Sequence, residues 1–333
     1  MNKSSLWRDA KRWLPGLVIS IIALIILFRL VNWNDLRDAL SKFSPFYILL
    51  ALLMLACSMA VRAQAWRILL DHKPDFKRSF FIINEGYLLN NIFPLRAGEL
   101  GRAVFMGRAT GLSPFFVLST IVIERVFDLA IAAGLLLSTL PLALGLEWAK
   151  PVAWLTLGLM MAMVAVMFFA ARYNTQVKRW LEKLAGQSAL LRKWVLPRID
   201  SLINGLGILN QPSKFFPAVS LIFLSWVLWV ATHILMIENI APGAPLWWGV
   251  LVDAVLAMGV AIPSAPSALG VFEASVVGAM SLLGISNTTA LAYAIVMHFI
   301  NFVVPLIFGG IGLFLEGKSL TSAFSEVRAA KEA

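Results

Sequence analysis

Asn90-Asn91-Ile92-Phe93-Pro94-Leu95-Arg96-Ala97-Gly98-Glu99-Leu100-Gly101-Arg102, followed by Ile123-Glu124-Arg125-Val126-Phe127-Asp128, places three arginines and three carboxylates inside otherwise apolar sequence. A charged side chain at bilayer depth costs at least about 2.5 kcal/mol and faces a polar cavity or a partner by default. Here the charges come with Pro, Gly and Asn, which break helices. The combination predicts a polar site built into a membrane and a ligand that carries charge.

The composition agrees. The chain is 60% hydrophobic and only 14% charged, where a soluble domain is about 25% charged. The 333 residues are therefore read as one all-α polytopic membrane domain. About six full transmembrane helices are expected, near 14–28, 46–70, 114–140, 152–171, 215–237 and 289–315, each close to the roughly 20 residues that cross a bilayer. The stretch Leu14–Phe28 follows Lys3, Arg8, Lys11 and Arg12 but lacks a small-residue cleavage site, so it reads as a retained helix.

Two apolar stretches, 81–108 and 248–285, are interrupted rather than continuous. Pro94 with Gly98 breaks the first, and Pro263 with Gly270 the second. Each is expected to be a re-entrant hairpin of broken helices. Both turns then read Pro, Gly, Glu, which predicts an inverted repeat: 46–140 as one half, 215–315 as the other. Inverted repeats with broken helices are a transporter architecture.

The net charge of +10 sits mainly in short segments between apolar runs. That is the positive-inside pattern, and no soluble basic domain for nucleic acid is present. The N-terminus, 71–80, the long basic segment 172–214 and the C-terminal tail are expected on the cytoplasmic side of a bacterial inner membrane. The connections 32–45, 141–151 and 238–246 are expected outside. Trp180 and Trp194 would anchor interfacial helices in 172–214.

Arg96 and Arg102 flank Gly98-Glu99. A restarted helix offers free N–H groups to an anion, and arginine adds a planar fork that matches phosphate oxygens. The alternative is that either arginine snorkels to the interface. Thr120, Glu124 and Asp128 share one helix face by their spacing, with Arg125 beside it. Arg125 either pairs with Glu124 or Asp128 to join helices or contacts substrate. Glu273 has no cation near it in sequence, so it pairs in space with an arginine of the first hairpin or takes a proton. Asp253 is also unpaired locally, and His298 and Asn301 can face one cavity. One cysteine and three histidines assemble no metal site, and no cofactor is expected. Walker, GxSxG, HExxH and GxGxxG motifs are missing, so no enzyme activity is expected.

Pro94-Leu95-Arg96-Ala97-Gly98-Glu99-Leu100-Gly101-Arg102, Glu124-Arg125-Val126-Phe127-Asp128 and Ile262-Pro263 through Leu269-Gly270-Val271-Phe272-Glu273, in that order, resemble the lysylphosphatidylglycerol synthase transmembrane-region family of flippase-like membrane proteins. The resemblance covers about residues 10–315. It implies a region that moves an aminoacylated phospholipid between leaflets, next to a separate soluble domain that attaches lysine. The sequence runs about 18 residues past the last expected span, so the expectation is lipid handling without aminoacyl transfer. Ser267-Ala268 departs from the glycine-rich loop that the family leads one to expect, which puts in doubt a tight backbone approach to a headgroup there.

The expected function is a lipid flippase or transporter that moves or binds an anionic amphipathic lipid, a phospholipid or a polyprenyl-phosphate-linked glycan precursor. Arg96, Arg102 and Arg125 would hold phosphate; Glu99, Glu124, Asp128 and Glu273 would balance charge or relay protons. A secondary transporter of a small soluble solute, a membrane-embedded transferase acting on a lipid phosphate, and an accessory protein for lipid or glycan assembly working beside a biosynthetic enzyme are the alternatives.

Overall fold

The computed structural model describes residues 18–27, 29, 33–93, 97–144, 151, 154–155, 158, 161–162, 165–166, 168–169, 172–185, 196–262 and 264–332. Its elements are helices, in chain order α1 (Val18–Leu27), α2 (Trp33–Ser41), α3 (Pro45–Leu69), α4 (Phe76–Ile92), α5 (Ala97–Thr110), α6 (Pro114–Leu144), α7 (Asn174–Ala185), α8 (Leu196–Gly205), α9 (Pro212–Ile240), α10 (Trp247–Val260), α11 (Val271–Leu282), α12 (Asn287–Leu315) and α13 (Leu320–Glu332).

Four of the six expected spans are long, apolar helices: α3, α6, α9 and α12. Proline opens α3, α6 and α9, where its missing N–H costs nothing. Ser286 caps α12 through its hydroxyl, which accepts from the Thr289 N–H. The span expected at 14–28 is represented by α1, and most of 152–171 lies outside the described residues. α6 takes Pro141 into its last turn and ends at Leu144, close to the expected end near 140.

Both interrupted stretches form hairpins of two short helices, α4 with α5 and α10 with α11. Their lengths, 17, 14, 14 and 12 residues, fall short of the roughly 20 that span a bilayer. In the first, the arms touch at Gly86 and Gly98, where a Cβ on Gly98 would strike the Gly86 carbonyl oxygen. Asn90 then reaches across the turn and accepts from the Gly98 N–H at 2.8 Å, capping α5. Pro94, one of the turn residues expected from sequence, lies outside the described residues, as does Pro263 in the second turn.

In the second turn Gly270 has φ +82°, and Ser267 and Ala268 also lie in the left-handed region, at φ +58° and +55°. This left-handed backbone is thus built with two residues that carry a Cβ, which bears out that the turn is not glycine-rich at 267–268. This turn packs against α4, so the two hairpins meet.

The packing has a two-fold pattern. α3 lies along α9; α4 packs on α12 as α10 packs on α6; α5 packs on α6 as α11 packs on α12. The Ser44 N–H, before α3, donates to Asn239 near the end of α9, while Lys214 at the start of α9 pairs with Asp71 just after α3. α3 and α9 are therefore antiparallel, as equivalent helices of an inverted pair must be. Small residues let the helices close up: Ser58 donates to the Ser225 carbonyl at 2.9 Å, and Gly309 and Gly312 of α12 lie against Asn84 and Glu85 of α4.

Two segments expected to be loop or tail are packed helices. α2 buries Leu36 and Ala39, with Phe43 just after it, against the α12 region, where Phe43 meets Tyr293. α13 buries Ala323 and Val327 against α5, stacks Phe324 on Phe93, and pairs Glu326 with Arg108 at 2.5 Å. In 172–214, α7 and α8 are helical and α8 packs on α6; Trp180 is exposed, and Trp194 lies outside the described residues.

Two stability changes follow from this geometry. Gly98→Ala should destabilise by about 1–3 kcal/mol, because neither backbone can yield, whereas Gly134→Ala, with open space around it, should be neutral or better. Ala268→Gly should stabilise by about 1 kcal/mol through relief of its left-handed φ. Unfolding midpoints in detergent check all three.

Candidate functional site

The i, i+4 spacing on α3 and α6 brings the charges together. Arg62 and Trp66 of α3 face Thr120, Glu124 and Asp128 of α6, and α5 inserts Arg102 between them. Arg102 donates to Glu124 Oε2 at 2.7 Å, with its guanidinium carbon 4.1 Å from the Trp66 ring centroid. The Trp66 indole N–H donates to the Thr120 hydroxyl at 3.0 Å. Asp128 accepts from Arg62, from the Trp226 indole of α9 at 2.9 Å and from Arg125 at 3.2 Å. Glu99 Oε1 lies 3.4 Å from Arg125 Nε without hydrogen-bond geometry.

The cluster is graded. The Arg102 and Glu124 side chains are 2% and 0% exposed, while those of Arg125 and Glu99 are 32% and 20% exposed, so the Arg125–Glu99 pair forms its open side. Three arginines face three carboxylates, and the formal charges cancel. The hydrogen bonds do not. Among the described residues, Arg62 Nε, Arg102 Nε and Nη1 and Arg125 Nε have no acceptor in hydrogen-bond geometry. A buried charged donor left unmade costs more than about 1–3 kcal/mol; Glu124 Oε1 likewise lacks a donor, so the cluster holds polar capacity that its own pairs do not use.

Of the residues singled out from sequence, Glu99, Arg102, Glu124, Arg125 and Asp128 meet in this cluster. Arg96 lies outside the described residues. Glu273 is elsewhere, and its partner is His298 rather than an arginine of the first hairpin. Its Oε1 lies 2.5 Å from His298 Nδ1, and its Oε2 accepts from the Gly270 N–H at 2.7 Å. His298 Nε2 meets the Ser267 hydroxyl at 2.7 Å, and Phe272 stacks on the ring. Asn301 donates to the Met297 carbonyl of its own helix.

Sequence reasoning passed over Arg62, Trp66 and Trp226. The available signal was an arginine and a tryptophan one turn apart inside an apolar span. Such residues near a span's end usually read as interfacial anchors. Among the described residues no group of three or more His, Cys, Asp or Glu could hold a metal ion.

The family model for the lysylphosphatidylglycerol synthase TM region matches residues 13–309. A UPF0104 membrane protein of Methanocaldococcus jannaschii is 20% identical across 90% of this chain and 93% of its own length. Another, of Methanothermobacter thermautotrophicus, is 23% identical across 97% of this chain and 99% of its own. Glycosyltransferase AglD of Haloferax volcanii is 23% identical across 93% of this chain but only 55% of its own length, so the likeness covers about half of that protein. With its long apolar helices and this match over most of its length, the chain is a multi-pass membrane protein that belongs to the lysylphosphatidylglycerol synthase TM region family.

Proposed function

We propose that this protein binds the phosphate of an anionic amphipathic lipid at the arginine cluster and moves that lipid between leaflets without chemical change. The observation that carries the reading is the convergence of Arg62, Arg102 and Arg125 from three helices, with guanidinium N–H groups unmet. Phosphate oxygens suit such forks better than any neutral solute does.

Glu99 makes the exchange affordable. It sits in the first turn of α5 and holds Arg125 at 3.4 Å, the longest ion pair of the cluster. An incoming phosphate replaces Glu99 on Arg125, so one anion is exchanged for another and the buried cluster stays near neutral. The dipole at the α5 N-terminus favours the newcomer. Arg102–Glu124 and Arg62–Asp128, being deeper, hold the helices while the outer pair opens.

An apolar tail also has a place to lie. A groove of about 440 Å³ between α1 and α11 is lined by Ile19, Ile22, Ile26 and Val277. The family description points to a phospholipid, and the glycosyltransferase relative to a lipid-linked glycan precursor. Both present a phosphate ester on a hydrophobic tail. The basic segments set the proposed orientation, with both termini on the cytoplasmic side of the cytoplasmic membrane, and a lipid- or glycan-building enzyme is the natural supplier.

Purified protein in vesicles carrying labelled phosphatidylglycerol or a labelled polyprenyl phosphate tests this. Wild type should accelerate leaflet exchange of at least one of the two, and equal exchange with and without protein would overturn the reading. Arg125→Gln should slow exchange by about tenfold or more, the equivalent of one charged hydrogen bond, with a smaller fall in unfolding midpoint than the deeper Arg102→Gln. Arg102→Gln should lose exchange and also about 3–5 kcal/mol of stability, because Glu124 is left buried and unpaired.

A further inference from the structure

The two halves place polar groups at equivalent positions but fill them with different chemistry. Glu99 is the third residue of α5 and meets Arg125, the twelfth of α6; Glu273 is the third of α11 and meets His298, the twelfth of α12. Trp66, twenty-second in α3, bonds Thr120, seventh in α6; His233, twenty-second in α9, bonds Tyr293, seventh in α12. Where the first half has a permanent cation and a tryptophan, the second has histidines. Of the three histidines in the chain, only His72 lies elsewhere.

His233 is also next to a carboxyl group. His233 and Asp253 are both fully buried, with His233 Nε2 3.6 Å from Asp253 Oδ1. Both carboxyl oxygens of Asp253 lack a hydrogen-bond partner, and Trp229 stands beside it without hydrogen-bond geometry. The Tyr293 hydroxyl leans on the His233 carbonyl at 3.4 Å and lies 2.8 Å from His233 Nδ1. With that hydroxyl directed to the carbonyl, its oxygen accepts from Nδ1–H, leaving Nε2 as the nitrogen that faces Asp253. At 3.6 Å the two are beyond hydrogen-bond length, so a proton taken up by either would draw them together.

The other titratable groups on the packed elements have their own surroundings: on α3, Arg62 pairs with Asp128, Arg67 donates to the Pro74 carbonyl, Tyr47 meets Phe46 edge-on and Cys57 is an exposed free thiol. On α6, Glu124 pairs with Arg102, and Arg125 with Asp128. On α11, Glu273 pairs with His298. On α9, Lys214 pairs with Asp71, and Glu238 accepts from the Gly243 N–H. On α12, Tyr293 is the neighbour already described.

We infer that His233 and Asp253 form a proton-binding site that couples proton movement to lipid movement, resting in its second part on the function proposed above. The route between the sites is short. α9 reaches Asp128 with Trp226 and, two turns on, carries His233, while α10, which bears Asp253, packs on α6. The first half holds the anion with fixed charge, and the second gains and loses the proton that biases the exchange.

Two measurements decide it. Infrared difference spectra of the detergent-solubilised protein across pH steps should show a titrating carboxyl C=O band that Asp253→Asn removes and His233→Gln shifts. Absence of such a band, or its survival in Asp253→Asn, overturns the proton site. In vesicles with labelled phosphatidylglycerol, a pH gradient should bias the distribution of lipid by up to about tenfold per pH unit for one proton per lipid, about 1.4 kcal/mol. That bias should disappear in Asp253→Asn and in His233→Gln; a bias retained in both overturns the coupling. If wild type exchanges no lipid, the proposed function and the coupling fall together, while the infrared result still decides whether the pair binds a proton.

Discussion

Asp128 is the interaction on which the interior depends. One carboxylate takes hydrogen bonds from Arg62 on α3, Trp226 on α9 and Arg125 on its own helix, and so ties the two halves together at a charged point. In hydrocarbon there is no water to take over a lost bond. The three helices therefore keep their rotation and register as long as that carboxylate needs its donors. Arg102 extends the same constraint to the first hairpin, since its only acceptor among the described residues is Glu124. The arms of that hairpin are shorter than a bilayer span, and that pair anchors α5 to α6.

Close packing supplies the other half of the argument. Lipid-facing helices gain little from hydrophobic burial against one another, because lipid tails are as apolar as leucine. Contact instead comes from backbones that approach closely. Gly86 and Gly98 bring the arms of the first hairpin together, and Gly309 and Gly312 seat α12 on α4. These contacts recur in two-fold order, so a displacement of either hairpin is passed to the long helix of the opposite half. The crossed connection is a property of the packing itself.

Much of this was legible from the sequence because hydrocarbon penalises polar groups so strongly. Glu99, Arg102, Glu124, Arg125 and Asp128 stood out as charges in apolar sequence, and they do converge. The hairpins were legible because Pro and Gly interrupt runs that would otherwise be spans. Arg62, Trp66 and Trp226 were not, since each looks like an ordinary anchor until α3 and α9 are laid against α6. The partner of Glu273 was hidden for the same reason: His298 is 25 residues away on another helix. α2 and α13 read as loop and tail because short amphipathic segments show their packing face only once α12 and α5 are in place.

The second turn shows how a strained backbone can acquire a role. Ser267 and Ala268 occupy left-handed backbone that glycine would take without cost. Strain of this kind, of order 1–3 kcal/mol per residue, persists where surroundings over-determine it. At Ser267 the surroundings are visible: its hydroxyl meets His298 Nε2 while Glu273 meets Nδ1, so both ring nitrogens are held. A glycine there would free the backbone and also free the ring. Whatever His298 does must therefore be done with its orientation held, and Ser267 provides that hold from a hairpin that also touches α4. The turn that holds the His298 ring thus also packs on α4, an arm of the other hairpin.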